Sequence, residues 1–188
     1  MGGEVQSVKS ADGVPIAFDV CGRGSGAAAA VFVHGWAGRR EHWDEQLEAF
    51  ADDRLVVRLD LAGHGASGRA RDRWSVGAFA DDVVAVVEAL GLDRVVLLGH
   101  SLGGSVIVEA ARRLAGRVVR LVGVDTWSAI GVRRSVAACI SSESFRPKDP
   151  AVLAAFGIDN VVLPGTGHYL MLERPQAFNE LLTGVLAR

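Results

Sequence analysis

The sequence LLGHSLGGS, residues 97–105, places a histidine and a serine between glycines at the end of a continuous apolar run. The preceding RVVLL, residues 94–98, is typical of a strand covered on both faces, and SVIVEAARRLAG, residues 105–116, has the pattern of a helix. Ser101 is therefore predicted to stand on a sharp turn between strand and helix, where flanking glycines avoid clashes with the neighbouring backbone. For so short a motif, the alternative is an ordinary glycine-rich turn with a capping serine.

The same alternation of strands and helices extends along the chain. Short apolar runs (AAVFV, LVVRL, RVVRLVGV, VAACI and NVVL) alternate with helical segments, which is typical of a mostly parallel α/β sheet with helices on both faces. Apolar residues at helical spacing predict a helix over 75–90, with Ser75 as N-cap and Gly91 as its stop. Near the N-terminus, Asp12 and Gly13 are predicted to form the two-residue turn of a β-hairpin.

Composition and charge narrow the class of protein. The chain has 188 residues, 49% of them hydrophobic, which suffices for one well-packed core, so residues 1–188 are predicted to form one domain. A net charge of -2, with arginines scattered in pairs, provides no basic stripe and argues against nucleic-acid binding. Cys21 and Cys139 lie in apolar, strand-like settings without metal-binding spacing, so two buried thiols and no metal site are expected.

The start of the sequence and its apolar runs bear on location. The N-terminal residues lack the basic and apolar parts of a secretory leader, and the apolar runs are shorter than a bilayer requires. We therefore expect a cytoplasmic protein without membrane association, in line with the reducing compartment that the two cysteines favour. The glycines of GRGSG, residues 22–26, precede a strand instead of following one, which argues against a dinucleotide-binding loop.

Three further motifs follow apolar runs, as the turn at Ser101 does. AAVFV is followed by HGW, residues 34–36; LVVRLD is followed by LAGHGAS, residues 61–67; and NVVLPGTG is followed by His168. Each motif alone is short, but the four occur in order, each at the end of a predicted strand. Together they resemble the α/β-hydrolase fold superfamily, in its branch of serine hydrolases and esterases, over nearly the whole chain.

The resemblance implies a Ser-His-acid triad that cleaves a small carboxylic ester through an acyl-enzyme, with no metal or organic cofactor. It assigns Ser101 as the nucleophile and His168 as the base, because histidine titrates near neutrality and can take the proton of a serine hydroxyl. It also implies that the backbone N–H groups of Trp36 and Leu102 hold the oxyanion. The expected partner is therefore a small-molecule ester.

The other four histidines are given lesser roles. His34 and His64 belong to loops in which hydrogen bonding to the backbone is expected. His42 lies at the start of an amphipathic helix, and His100 is expected to point away from its neighbour Ser101 on the strained turn. This leaves His168, which stands last in the order Ser, acid, His, as the candidate base.

The acid of the triad stays open between two carboxylates. In the family an aspartate usually follows the seventh strand, here VAACI, but the alignment puts Ser142 and Phe145 where a glycine and that aspartate are usual. Asp125 ends the preceding strand, a location that some branches use, and Glu143 lies two residues early on the same turn. We rank Asp125 before Glu143; the alternative role of Asp125 is to cap the turn that follows it.

A second departure from the family is the missing lid. Relatives usually insert several helices after the sixth strand, whereas here residues 125–135 cross to the next strand with room for one turn or a short helix. An acyl pocket is expected from Trp127, Ile130 and Tyr169 beside Trp36, although such residues are as often plain core. An uncovered apolar face around the pocket favours a homo-oligomer formed through that face.

Two other kinds of function are compatible with these motifs. The same residues serve carbon-carbon bond hydrolysis, perhydrolysis or the cyanohydrin cleavage of hydroxynitrile lyases, because fold and triad do not fix the substrate. The displaced acid and the missing lid also fit a ligand-binding or partner-binding protein that keeps hydrolase motifs with little turnover. Labelling of Ser101 with a fluorophosphonate separates an enzyme from a binding protein.

Overall fold

A mostly parallel sheet runs through the residues that the computed structural model describes, which are 3–24, 26–126, 137–144, 153 and 157–187. Its strands are β1 Gln6–Lys9, β2 Pro15–Cys21, β3 Ala29–Val33, β4 Val56–Leu59, β5 Val95–His100, β6 Val118–Val124, β7 Ala137–Ser142 and β8 Asp159–Leu163. They lie in the order β1-β2-β4-β3-β5-β6-β7-β8. The pairs β1–β2 and β2–β4 are antiparallel and the others are parallel, which confirms the predicted mostly parallel sheet with an N-terminal hairpin.

Helices cover both faces of this sheet. They include α1 Asp44–Phe50, α2 Val76–Ala89, α3 Leu102–Arg113, α4 Leu170–Glu173 and α5 Pro175–Leu186, and a short 3-10 helix, Arg40–Trp43, precedes α1. Val31 and Val33 of β3 belong to the core cluster beneath α2 and α3, whereas Phe32 belongs to the cluster beneath α1 and α5. Apolar side chains on both faces explain why the strands appear in the sequence as continuous apolar runs. No helix in the described ranges is long and apolar enough to span a bilayer.

The predicted N-terminal hairpin is present, with a longer loop than expected. The N–H of Ser10 donates to the Val14 carbonyl and the N–H of Gly13 donates to the Ser10 carbonyl, both at 2.8 Å. Three residues therefore form the loop, and the predicted two-residue turn is wrong. Gly13 has a φ of 84°, which suits the left-handed residue that closes a loop of this length.

Helix α2 begins and ends where its sequence signals predict. The hydroxyl of Ser75 accepts a hydrogen bond from the N–H of Ala78 at 3.1 Å, so Ser75 is the N-cap. Gly91 follows the helix with a φ of 60°, the left-handed conformation that commonly ends helices. The cap and the stop are both local signals, which is why they could be identified without knowledge of the fold.

The two cysteines differ in burial. Cys139 lies in β7 and is buried, which raises the pKa of its thiol to about 12. Cys21 ends β2 and is half-buried. The expectation of two buried thiols is therefore confirmed for Cys139 and wrong for Cys21.

The order of the strands locates a candidate site. The chain passes from β3 to β4 on one side of β3 and then to β5 on the other side, so the loops after β3 and β5 leave the sheet where the order reverses. In open α/β sheets, ligands bind at the carboxyl ends of the strands at such a point. The loop after β3 contains Trp36, and the turn after β5 contains Ser101.

Candidate active site

Ser101 lies on the turn between β5 and α3, as predicted. Its backbone has a φ of 50° and a ψ of -117°, which residues other than glycine rarely adopt. A Cβ on Gly99 would lie 2.3 Å from the carbonyl oxygen of Gly103, and a Cβ on Gly103 would lie 2.6 Å from that of Val33. Glycine is needed at both positions because β5, α3 and β3 approach one another closely around the serine.

Unusual backbone conformations are concentrated around this turn. Among the described residues other than glycine, those with positive φ are Ala37 at 54°, Ser101 at 50° and Asp125 at 49°. They follow β3, β5 and β6, which are neighbours in the sheet. Such a conformation costs on the order of 1–3 kcal/mol and persists where the surrounding structure imposes it. Clustering of strained residues at the carboxyl ends of three adjacent strands is typical of an active site.

His168 and Asp125 are in direct contact at the same edge of the sheet. Nδ1 of His168 lies 2.6 Å from Oδ2 of Asp125. The aspartate is 1% exposed, and its Oδ1 accepts a hydrogen bond from the N–H of Ser142 at 2.7 Å. The histidine side chain is 43% exposed. A buried carboxylate thus holds an imidazole that opens to solvent, and because Nδ1 donates to the carboxylate, the lone pair of the neutral ring is on Nε2.

Glu143, the other candidate acid, lies in a different place. The residue is exposed, and its Oε2 accepts a hydrogen bond from the N–H of Gly165 at 3.2 Å. Glu143 therefore supports the loop that leads from β8 to His168. This hydrogen bond goes to the loop backbone and not to the imidazole. Of the two candidates, the structure brings Asp125 to the histidine.

The imidazole of His168 also packs against the residue that precedes Ser101. Its ring centroid lies 4.6 Å from that of His100, the residue immediately before Ser101. Nε2 of His100 lies 2.7 Å from the carbonyl oxygen of His168. Ser101, Asp125 and His168 thus follow the carboxyl ends of β5, β6 and β8, and the structure places His168 against both Asp125 and His100.

The loop after β3 is held by two histidines. The N–H of Leu61 donates to Nε2 of His34 at 3.0 Å, and the N–H of Ala37 donates to Nε2 of His64 at 3.3 Å. Nδ1 of each ring lies within hydrogen-bond distance of a backbone carbonyl. Burial lowers the pKa of His34 to about 4, so that ring is neutral and Nε2 can accept. Both histidines shape the backbone, as predicted.

Asp60 organises the neighbouring loop after β4. Its buried carboxylate accepts hydrogen bonds from the N–H groups of Arg40 at 2.8 Å and Ala66 at 2.9 Å, and it forms an ion pair with the Arg40 guanidinium. The hydroxyl of Ser67 donates to the Asp60 carbonyl at 2.6 Å. Asp60 and Ser67 therefore fix the loop after β4, which lies beside His34 and Trp36. The role of Arg40 is not predicted from the sequence, because no local signal marks its pairing with Asp60, 20 residues later.

Trp36 and Leu102 stand beside the nucleophile. A Cβ on Gly35 would lie 3.0 Å from Cβ of Ser101, so the backbone that leads into Trp36 passes next to the serine. Leu102 is the first residue of α3, and the first N–H groups of a helix have no acceptor within it. The Trp36 residue is 67% exposed and its ring packs edge-on against His64, with 5.7 Å between centroids.

The expected acyl pocket is described in part. Tyr169 is half-buried, and its ring centroid lies 5.0 Å from that of His100. Trp127 and Ile130 lie outside the described residues. The connection from β6 to β7 is formed by residues 125–136, which is roughly the length of one average helix. A lid of several helices does not fit in a connection of this length.

A separate surface cleft of about 590 Å³ lies between the hairpin loop and the start of α2. The guanidinium of Arg71 in its wall is paired with Asp12 and Asp82, and that of Arg113 is paired with Asp81. These charges neutralise one another, and the cleft wall does not include Ser101. We therefore assign no function to this cleft.

Comparison with known proteins agrees with this fold. A family model described as the alpha/beta hydrolase fold matches residues 30–137, more than half of the chain. The chain therefore belongs to the α/β-hydrolase fold family.

Three similar proteins illustrate the range of the family. A dihydrolipoyllysine-residue acetyltransferase component of the acetoin cleaving system from Pseudomonas putida is 36% identical over 98 residues, which cover 52% of this chain and 26% of that protein. A provisionally named carbamate hydrolase, RutD of Agrobacterium fabrum, is 34% identical over 113 residues, covering 59% of this chain and 43% of that protein. The chain thus spans less than half the length of either relative. A thermophilic esterase from Thermogutta terrifontis shares the fold, with a TM-score of 0.84, 18% identity and 98% coverage of each chain.

Proposed function

We propose that this chain is a serine hydrolase that cleaves small carboxylic esters, with Ser101, His168 and Asp125 as its triad. The contact that carries the proposal is the 2.6 Å approach of His168 Nδ1 to the buried Asp125 carboxylate, beside a serine on a strained turn. A carboxylate in this position fixes the tautomer of the imidazole and stabilises its protonated form. Those are the two properties that a base acting on a serine hydroxyl requires.

The proposed reaction has two halves. In the first, Oγ of Ser101 attacks the ester carbonyl carbon while Nε2 of His168 takes the hydroxyl proton. His168 then gives this proton to the departing alkoxide, which leaves as the alcohol, and Ser101 is left acylated. In the second half, Nε2 takes a proton from water, the hydroxide attacks the acyl carbon, and the proton returns to Ser101 as the carboxylic acid leaves.

We further propose that the N–H groups of Trp36 and Leu102 stabilise the negative charge that develops on the carbonyl oxygen. The position of Leu102 at the start of α3 adds the partial positive charge of a helix N-terminus. Each donor of this kind contributes on the order of 10² to 10³ in rate. The contacts of His34 and His64 with the loop backbone keep the Trp36 side of this site in place.

The names of the two sequence relatives support acyl chemistry. They mention an acetyltransferase component and a carbamate hydrolase, and acetyl transfer and carbamate hydrolysis both take place at a carbonyl carbon. Short esters are the proposed substrates because a brief β6–β7 connection leaves little protein to enclose a long acyl chain. Carbamates belong in the same assay panel, because the same attack on a carbonyl carbon cleaves them.

Labelling with a fluorophosphonate, followed by peptide mass spectrometry, tests the nucleophile. We expect stoichiometric modification of Ser101, with no labelling of Ser101→Ala. An unmodified Ser101, together with no turnover of any ester or carbamate, would favour a binding protein that retains hydrolase motifs.

Matched amide substitutions test the acid. Asp125→Asn preserves size and tolerates a positive φ, so it should fold while kcat falls by roughly 10³ to 10⁴. Glu143→Gln removes only the charge of an exposed carboxylate, because its amide oxygen can still accept from the Gly165 N–H, and kcat should fall by less than about tenfold. The opposite ranking would transfer the role to Glu143.

A further inference from the structure

His100 makes a contact that the proposed reaction does not use. It ends β5, is 1% exposed, and its Nε2 lies 2.7 Å from the backbone carbonyl oxygen of His168. A carbonyl oxygen only accepts hydrogen bonds, so Nε2 must carry the proton and donate it. This hydrogen bond therefore joins His100, the residue immediately before the proposed nucleophile, to the backbone of His168, the proposed base.

The other nitrogen of the ring is consistent with this tautomer. Nδ1 of His100 is buried and has no hydrogen-bond partner among the described residues. It faces Gly35, on which a Cβ would lie 2.9 Å away. A buried N–H without an acceptor is rare in folded proteins, and an unpaired acceptor is tolerated better. Burial lowers the pKa of His100 to about 4, which keeps a single proton on the ring.

Other hydrogen bonds of the His168 loop are accepted by two exposed carboxylates. Glu173 accepts hydrogen bonds from the N–H groups of Gly167 at 2.6 Å and Tyr169 at 3.2 Å, and Glu143 accepts one from Gly165. These carboxylates are exposed and fix the loop to itself and to the end of β7. The hydrogen bond from His100 differs because it fixes the loop to the strand that carries the nucleophile.

We propose that His100 is a positioning residue, whose Nε2–H sets the separation of Ser101 and His168 by holding the backbone of the base. This inference rests on the proposed function, since it assigns a role within the Ser-His pair. The packing of the two imidazoles, with centroids 4.6 Å apart and planes at 46°, adds a second restraint on the orientation of the His168 ring.

Two amides of similar polarity separate positioning from a general structural role. In His100→Gln the side-chain amide nitrogen reaches the place of Nε2 and can donate to the His168 carbonyl. In His100→Asn the shorter side chain places its amide near Nδ1, beneath Gly35, and the donor is lost. His100→Leu removes all polarity at similar bulk.

The first readout is the rate constant for labelling of Ser101 by a fluorophosphonate, which does not depend on knowing the natural ester. His100→Gln should label within about fivefold of the unsubstituted protein, whereas Asn and Leu should label on the order of 10 to 10² more slowly, the loss expected from a small misplacement of a catalytic group. With an acetate ester, the Asn and Leu losses should appear in kcat and leave KM nearly unchanged. Equal rates for Gln and Asn would overturn the proposal.

A measurement on the unsubstituted protein keeps the proposal testable if the Asn or Leu variant does not fold. With ¹⁵N-labelled histidine, NMR should show His100 as the neutral Nε2–H tautomer from pH 5.5 to pH 8. Observation of the Nδ1–H tautomer would overturn the proposal, because that ring cannot donate to the His168 carbonyl. Absence of labelling at Ser101 in the unsubstituted protein would instead overturn the proposed function, and the inference with it.

Discussion

Acidification from pH 7 to pH 5 is expected to destabilise the fold through His34 and His100. Both rings are buried, and this burial, as the largest cause, lowers each pKa from 6.5 to about 4. Between these two values the unfolded chain binds more protons than the folded one. The free energy of unfolding is therefore highest above pH 6.5, falls as the pH drops through 6.5, and levels off below about pH 4.

The size of the effect follows from the two pKa shifts. Since one pKa unit corresponds to about 1.4 kcal/mol, each ring accounts for about 2 kcal/mol between pH 7 and pH 5, and the pair for about 4 kcal/mol. That is a large part of the 5–15 kcal/mol by which domains are typically stable. The half-buried His42, whose pKa is also lowered, chiefly by burial, acts in the same direction.

Urea unfolding at half-unit steps from pH 5 to pH 7 measures this dependence. Stopping at pH 5 stays above the ordinary titration range of aspartates, so histidines dominate the slope. His100→Gln removes one of the two rings and should reduce the loss on acidification by about 2 kcal/mol. A free energy of unfolding that stays within about 1 kcal/mol across this range, or a slope unchanged by His100→Gln, would refute the argument.

Three further predictions concern the proposed chemistry and the uncovered face. Ser101→Ala and His168→Ala should each abolish nearly all ester hydrolysis, and the double variant should be little worse than either, because the two residues act as a unit; additive losses in kcat would contradict the pairing. In an ester panel from C2 to C12, each added methylene should raise kcat/KM by less than the roughly tenfold that an enclosed pocket can give, and a sharp long-chain optimum would require a closed pocket. The exposed Trp36 should promote self-association, and Trp36→Ser should weaken it. Size-exclusion chromatography with light scattering would detect the association as a mass above that of one chain. A strict monomer at high concentration argues against association through this face.

Local signals in the sequence account for much of the fold and for the nucleophile. The run AAVFV coincides with β3, and the cap at Ser75 with the start of α2. The glycines around Ser101 predict its turn because a Cβ on Gly99 would meet the Gly103 carbonyl within the same turn. Each of these features is determined within a few neighbouring residues, so one sequence suffices.

Contacts between distant segments were predicted less completely. Asp125 and Glu143 stayed open as acids because both precede His168 by a long stretch of chain, and only the positions of β6 and β7 in the sheet show which carboxylate meets the imidazole. His100 was expected to point away from the serine and was given no further role, yet its ring reaches a carbonyl 68 residues later in the chain. Nothing in the sequence near either residue signals that pairing.

The position of His168 after β8 has a consequence for how activity is lost on heating. In the described part of the sheet β8 is the outermost strand and pairs with β7 alone, whereas Ser101 follows β5, near the centre. Segments at the edge of a sheet open at a lower free energy than its core. Local unfolding of β8 and α4 would withdraw the imidazole from Asp125 while β3 to β6 remain paired. Heat inactivation should therefore occur at a lower temperature than melting of the sheet. Amide exchange around residues 159–169 should increase over the same temperature range as activity is lost.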